Sequence, residues 1–170
     1  MKIAFYCPNK NIENINFKQP HLGNPGCGAT EYLQVAIPYM LDSYYGNLFK
    51  TIILADSIKN LPNSIECFQV NNGLLEAITK ASKEKVDIFV FKSSEKGEEK
   101  VFNLLKNYKL NSIVIGHLNP YPECIKLLSE CDYIKAFVCV GLNQYDQLID
   151  TKLSSKLFQI NNPISDNLIN

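Results

Sequence analysis

The stretch Ser112-Ile113-Val114-Ile115-Gly116-His117-Leu118-Asn119-Pro120-Tyr121-Pro122-Glu123-Cys124-Ile125-Lys126-Leu127-Leu128-Ser129-Glu130-Cys131 contains one whole unit of the fold. Ser112–Gly116 is almost continuously apolar, as a strand must be when helices cover both faces of a parallel sheet. Cys124, Leu127, Leu128 and Cys131 then recur at the i, i+3, i+4, i+7 spacing of an amphipathic helix. Between them His117–Pro122 is a polar and aromatic turn. A strand, a loop and a helix in that order are the βα repeat of an α/β sheet.

Outward from this unit the same pattern repeats. Strand-length apolar runs fall at Lys2–Cys7, Thr51–Ala55, Ile65–Val70, Val86–Phe91, Ala136–Val140 and Leu157–Ile160. Helical stripes lie between them: Ala29, Tyr32, Leu33, Ala36, Ile37 and Met40; Leu74, Ala77, Ile78 and Ala81; Val101, Leu104, Leu105 and Tyr108; and a short helix around Asn143–Ile149. Pro38 falls inside the first stripe, where it removes a backbone hydrogen bond and is expected to kink or shorten the helix. The pattern predicts a three-layer, Rossmann-like α/β domain of about seven parallel strands with helices on both faces. The domain is expected to span residues 1–164, with 165–170 beginning a linker or tail.

The 170 residues suit one domain with a substantial core. Seventeen basic residues, every one Lys, balance seventeen acidic ones. Zero net charge argues against a nucleic-acid partner, whose binding scales with the phosphates neutralised. Without Arg the chain has no arginine finger or bidentate guanidinium clamp. The apolar start Ile3–Cys7 is too short for a signal-peptide core, and no run is long enough to span a bilayer, so a cytoplasmic location is expected. The six cysteines form no CxxC pair or histidine-containing cluster, so they read as reduced thiols, mostly in the core, and no metal is expected.

Two loops break the regularity, both at carboxyl ends of strands, where α/β sheets carry their ligand sites. One is the His117–Pro122 turn. The other runs from Pro8 to Cys27, far beyond the about two to six residues usual for a βα loop. It ends in Gly23-Asn24-Pro25-Gly26-Cys27-Gly28-Ala29-Thr30-Glu31 and passes straight into a helix, a place suited to an anion. A nucleotide P-loop is excluded because Ala29 stands where GxxxxGK[ST] needs its Lys. The dinucleotide fingerprint is excluded because Glu31 stands where a small residue is required.

The stretch Gly23–Leu33, following a first strand Lys2-Ile3-Ala4-Phe5, resembles the amino-terminal glycine loop of the family 4 retaining glycosyltransferases, enzymes of the GT-B fold. Members often read PG-x-GG-TE there, and Ala29 replaces the second glycine of the pair. The resemblance extends to His117, to Phe137-Val138-Cys139-Val140, to Gln144-Tyr145-Asp146, and to Ile160-Asn161-Asn162-Pro163-Ile164, which resembles the exit toward the second domain. It implies the acceptor-side half of a two-domain transferase. The partner half would be a carboxyl-terminal domain that binds the nucleotide-sugar donor, and the acceptor a polysaccharide or lipid-linked sugar of surface glycan biosynthesis.

By the same resemblance His117 is the catalytic candidate beside the donor sugar and diphosphate. Gly26, Gly28, Ala29, Thr30, Glu31 and Asn119 are the substrate- or diphosphate-binding candidates. Retaining chemistry of this kind needs no protein nucleophile, metal or cofactor, because the leaving diphosphate helps to take the acceptor proton. The isolated chain is expected to be inactive. Glu31 can also serve simply to neutralise the positive helix start, and His21 is expected in a mobile part of the long loop. Lys92–Lys109 reads as a solvated helix face, or, with Tyr44 and Tyr45, as a peripheral contact with the inner face of a membrane. The alternative from another class is a stand-alone flavodoxin-like binding or regulatory module, for which Asp56, Asn72 and Ser93 would have to supply the strand-end ligands.

Overall fold

The computed structural model describes residues 1–95 and 97–161, so the expected boundary at residue 164, the tail 165–170 and the exit residues Asn162, Pro163 and Ile164 lie outside the described residues. Seven strands and five α-helices follow one another along the described chain, alternating except where a loop joins β2 to β3: β1 (Lys2–Cys7), α1 (Ala29–Tyr45), β2 (Lys50–Ala55), β3 (Glu66–Gln69), α2 (Gly73–Lys83), β4 (Ile88–Lys92), α3 (Glu99–Tyr108), β5 (Ser112–Gly116), α4 (Pro122–Glu130), β6 (Ile134–Cys139), α5 (Leu142–Leu148) and β7 (Leu157–Gln159). The strands form one parallel sheet in the order β3-β2-β1-β4-β5-β6-β7, a Rossmann-like three-layer α/β fold.

Handedness distributes the helices. A crossover between parallel strands is almost always right-handed, so connections that step in opposite directions across the sheet lie on opposite faces. The steps β1 to β2 and β2 to β3 go one way and carry α1 and the loop after β2. Every later step goes the other way and carries α2 to α5. Alternation along each strand then sorts the side chains. Ala4, Tyr6, Ile52, Leu54, Phe89, Phe91, Val114 and Phe137 pack with Ala77, Ile78, Val101, Phe102, Leu105 and Leu128 of α2, α3 and α4 in the main core. Cys7, Ile53 and Ala55 face the other way, against Val35 of α1 and Phe17, Leu61 and Ile65 of the loops.

The second layer is therefore thinner than helices on both faces would suggest. Among the described residues α1 is its one α-helix. Beyond α1, Ile88, Val90, Ile113, Ile115 and Val138 line an apolar groove of about 230 Å³ on that face.

Three local expectations need correction. Pro38 does not shorten α1, which continues to Tyr45 with Pro38 buried inside it, and the Pro38 carbonyl accepts a 3.1 Å hydrogen bond from Thr51 Oγ1 on β2. The segment Lys92–Lys109 is not one helix: Lys92 ends β4, and α3 begins only at Glu99. Cys131 follows α4 instead of continuing it. There Lys156 Nζ donates to the carbonyls of Leu128, Ser129 and Cys131 at 2.9 to 3.0 Å, so a cation satisfies the orphan acceptors of the helix end and ties the turn before β7 to α4. The six cysteines are free thiols, four of them buried, and no helix among the described residues is long and apolar enough to cross a membrane.

At the end of β5 the packing leaves no room for a side chain at Gly116. A Cβ there would sit 2.6 Å from Cε1 of the fully buried Phe137 and 3.2 Å from Gln144 Nε2. Gly116→Ala should lower unfolding free energy by about 1–3 kcal/mol in denaturant melts, as overpacking of a rigid core does. Gly141→Ala, which meets open space, should cost under about 1 kcal/mol.

Candidate functional site

In a sheet of this order the neighbouring strands β1 and β4 send their connections to opposite faces, and the crevice at their carboxyl ends is where such folds bind ligands. The long loop leaves β1 at this point and β5 ends one strand further along.

The long loop is anchored. Asn9 is buried, and its side chain donates to Ser57 O at 2.6 Å while accepting from Ser57 N at 2.8 Å. Phe17 is 1% exposed and its N–H bonds Asn60 O at 2.9 Å. Tyr32 of α1 donates its hydroxyl to Pro20 O at 2.9 Å. His21, expected to be mobile, is stacked on Tyr39 of α1 with ring centroids 5.5 Å apart.

The glycine segment is organised by Asn24. Its Oδ1 accepts from Gly26 N at 3.0 Å and Cys27 N at 2.9 Å, and its Nδ2 donates to Cys27 O at 3.0 Å. Gly26 takes φ +94°, a conformation that strains any residue with a Cβ. Two N–H groups of the loop are thus already bonded within it. What remains for an anion is the first turn of α1, where Gly28 is the N-cap and Ala29 is exposed. Glu31 partly fills even that place, because its carboxylate folds back over Gly28. This is the position from which a third-residue Glu neutralises a helix start. Thr30, beside Glu31 in the same turn, is buried at 6% exposure.

His117 lies two residues beyond Ile115. Val114 packs in the main core and Ile115 on the α1 side, and His117 lies in the bend just after the strand, within the electrostatic reach of Glu31 in the first turn of α1. It is half-buried, and its Nε2 is fully enclosed with no hydrogen-bond partner among the described residues. Burial, then the positive charge of Lys92, hold its pKa below the ordinary histidine value of 6.5, while the Glu31 carboxylate pulls the other way. Two charges from two other elements, Glu31 of α1 and Lys92 of β4, therefore both act on His117. The imidazole is neutral at pH 7 and able to exchange a hydrogen bond.

Gln144 of α5 closes the far side. Its Nε2 donates to Leu118 O at 2.8 Å and its Oε1 is buried without a partner among the described residues. Asn119 is exposed but engaged, its Nδ2 donating to Gln147 Oε1. No group of three or more acidic, His or Cys residues among the described ones is arranged to hold a metal ion.

Sequence reasoning missed Lys92 and Asn24. Counting alternate residues along β4 from Ile88 would have put Lys92 at the carboxyl edge on the α1 side. The Asn-x-Gly spacing at Asn24 is a recognisable Asx-turn signal. No model of a known protein family matches the chain, and no curated protein matches it.

The field at His117 has a definite sign. Lys92→Met should raise the imidazole pKa toward 6.5, and Glu31→Gln should lower it further, both read from the ring resonances by NMR. Because the folded pKa is depressed, the unfolded chain binds more protons just below pH 6.5. Stability is thus fully present above that value and falls as pH drops through the window between 6.5 and the folded pKa. His117→Gln should remove that slope from urea melts.

Proposed function

We propose that this chain is the acceptor-side half of a retaining glycosyltransferase of the GT-B type. In this reading a sugar passes from a nucleotide-sugar donor, held by a carboxyl-terminal partner domain, to a polysaccharide or lipid-linked acceptor. The observation that carries the reading is the convergence of the Gly26–Glu31 helix start and His117 on one carboxyl edge, beside the reversal of strand order. In sequence these segments stand far apart, and the resemblance drew on both.

The chemistry asked of each group is modest. A neutral His117 suits a hydrogen bond to a sugar hydroxyl or to the oxygen that leaves with the diphosphate, once the ring turns its enclosed, unpaired Nε2 toward the ligand. The first turn of α1 offers N–H groups and a positive dipole end once Glu31 moves aside. Neither group has to act as a nucleophile, which accords with retention by attack from the face of the leaving group. The chain's own contribution is to position and to donate hydrogen bonds, with most of the donor recognition assigned to the partner domain.

A ¹⁵N-labelled sample titrated with a panel of nucleotide sugars and neutral oligosaccharides tests this. Saturable shifts should cluster on Gly26, Gly28, Ala29, Glu31 and His117, and His117→Ala should weaken the binding sugar by about tenfold, the loss of one well-made hydrogen bond. The chain alone should transfer no sugar. Saturable shifts confined to the opposite edge of the sheet, or sugar transfer by the 170 residues alone, would contradict the reading.

A further inference from the structure

We infer that Lys92, together with His117, forms an anion site for a phosphate or diphosphate group on the α1 side of the carboxyl edge. This deepens the transferase reading, on which it rests for what the rest of the ligand is.

The placement follows from strand geometry. Ile88, Val90 and Lys92 alternate with Phe89 and Phe91, and Phe89 and Phe91 are buried in the main core on the α2 to α4 side. Val90 packs instead with Ile3, Phe5 and Ile115 on the α1 side. Lys92 therefore emerges on the α1 side as the last residue of its strand. Its register partner on β5 is Ile115, and His117 follows in the bend just after that strand. Lys92 and His117 thus stand at the carboxyl ends of neighbouring strands, and the Lys92 charge acts on the imidazole.

The ion pairs among the described residues are Lys2–Glu84, Lys50–Glu66 and Lys80–Glu84, and Lys92 is in none of them. A half-buried lysine in no ion pair and a half-buried imidazole, whose enclosed Nε2 a ligand would reach once the ring turns, offer a cation and a hydrogen-bonding group to one ligand. Phosphate oxygens satisfy both, and a lysine binds them as a point charge. The charged and titratable groups that act on His117 are Lys92 from β4 and Glu31 from α1, while Gln144 of α5 contributes only an uncharged amide. Glu31 is then the internal competitor: its carboxylate is the negative charge that an incoming phosphate would repel or displace.

The test uses inorganic pyrophosphate as the probe, followed at the His117 ring and amide resonances, with a nucleoside diphosphate and a sugar 1-phosphate as further arms. Pyrophosphate should give saturable shifts and raise the His117 pKa. Lys92→Met should weaken binding by about tenfold or more, Lys92→Arg should retain it, and Glu31→Gln should tighten it by about threefold. Tighter binding of the nucleoside diphosphate assigns the phosphate to a donor, and tighter binding of the sugar 1-phosphate to an acceptor.

Equal affinity in Lys92→Met and wild type, with both spectra showing a folded chain, overturns the site. So does absence of any saturable shift with pyrophosphate. Pyrophosphate binding with no response to any sugar or nucleotide sugar leaves this site standing and removes the transferase reading. Sugar binding that is indifferent to pyrophosphate and to Lys92 does the reverse.

Discussion

The handedness of parallel crossovers is the constraint from which the rest of the molecule follows. Because β1 is followed by strands added on one side and β4 by strands added on the other, the two carboxyl ends diverge and leave a crevice between them. The same rule puts α2 to α5 on one face and leaves α1 with most of the other. It also explains the apolar groove beside α1. Helices that connect β4 through β7 cannot reach that face without a left-handed crossover, so its cover can come only from chain outside these connections or from another molecule.

Within that crevice the electrostatics are built from a small number of charges. A chain with no arginine has lysine, backbone N–H groups and helix ends with which to attract an anion. Here the loop N–H groups of Gly26 and Cys27 are bonded to Asn24, and the start of α1 is partly satisfied by its own Glu31. Among the described residues Lys92 is in no ion pair, like most of the lysines, and what sets it apart is its place at the end of β4 next to His117. The result is an imidazole held neutral by burial and a neighbouring ammonium, with a carboxylate on the opposite flank limiting the effect.

The parts legible in the sequence were those dictated by local chemistry. Apolar runs located all seven strands to within a few residues, most plainly the buried central ones, whereas the more exposed β3 was marked by its buried flanks Ile65 and Val70. The helical stripes of α1 to α4 were readable in the same way. Lys92 was hidden because it opens a run rich in Lys, Ser and Glu, and composition there outweighed the two-residue period that ends with it. The fixed course of the long loop was also hidden: Asn9 to Ser57 and Phe17 to Asn60 are contacts over more than forty residues, which no local window contains. Pro38 was read from its intrinsic cost alone, whereas the buried face of α1 and the bond from Thr51 hold the helix through it.

The central claim, that the ligand edge is the carboxyl edge at the β1 and β4 divergence, is tested most directly by a crystal structure of the chain soaked with a nucleotide sugar. The account predicts density for the sugar or its diphosphate bounded by the first turn of α1, Lys92 and His117, with the Glu31 side chain moved off Gly28. Ordered ligand at the amino-terminal edge of the sheet, with Glu31 and His117 unchanged, would contradict it.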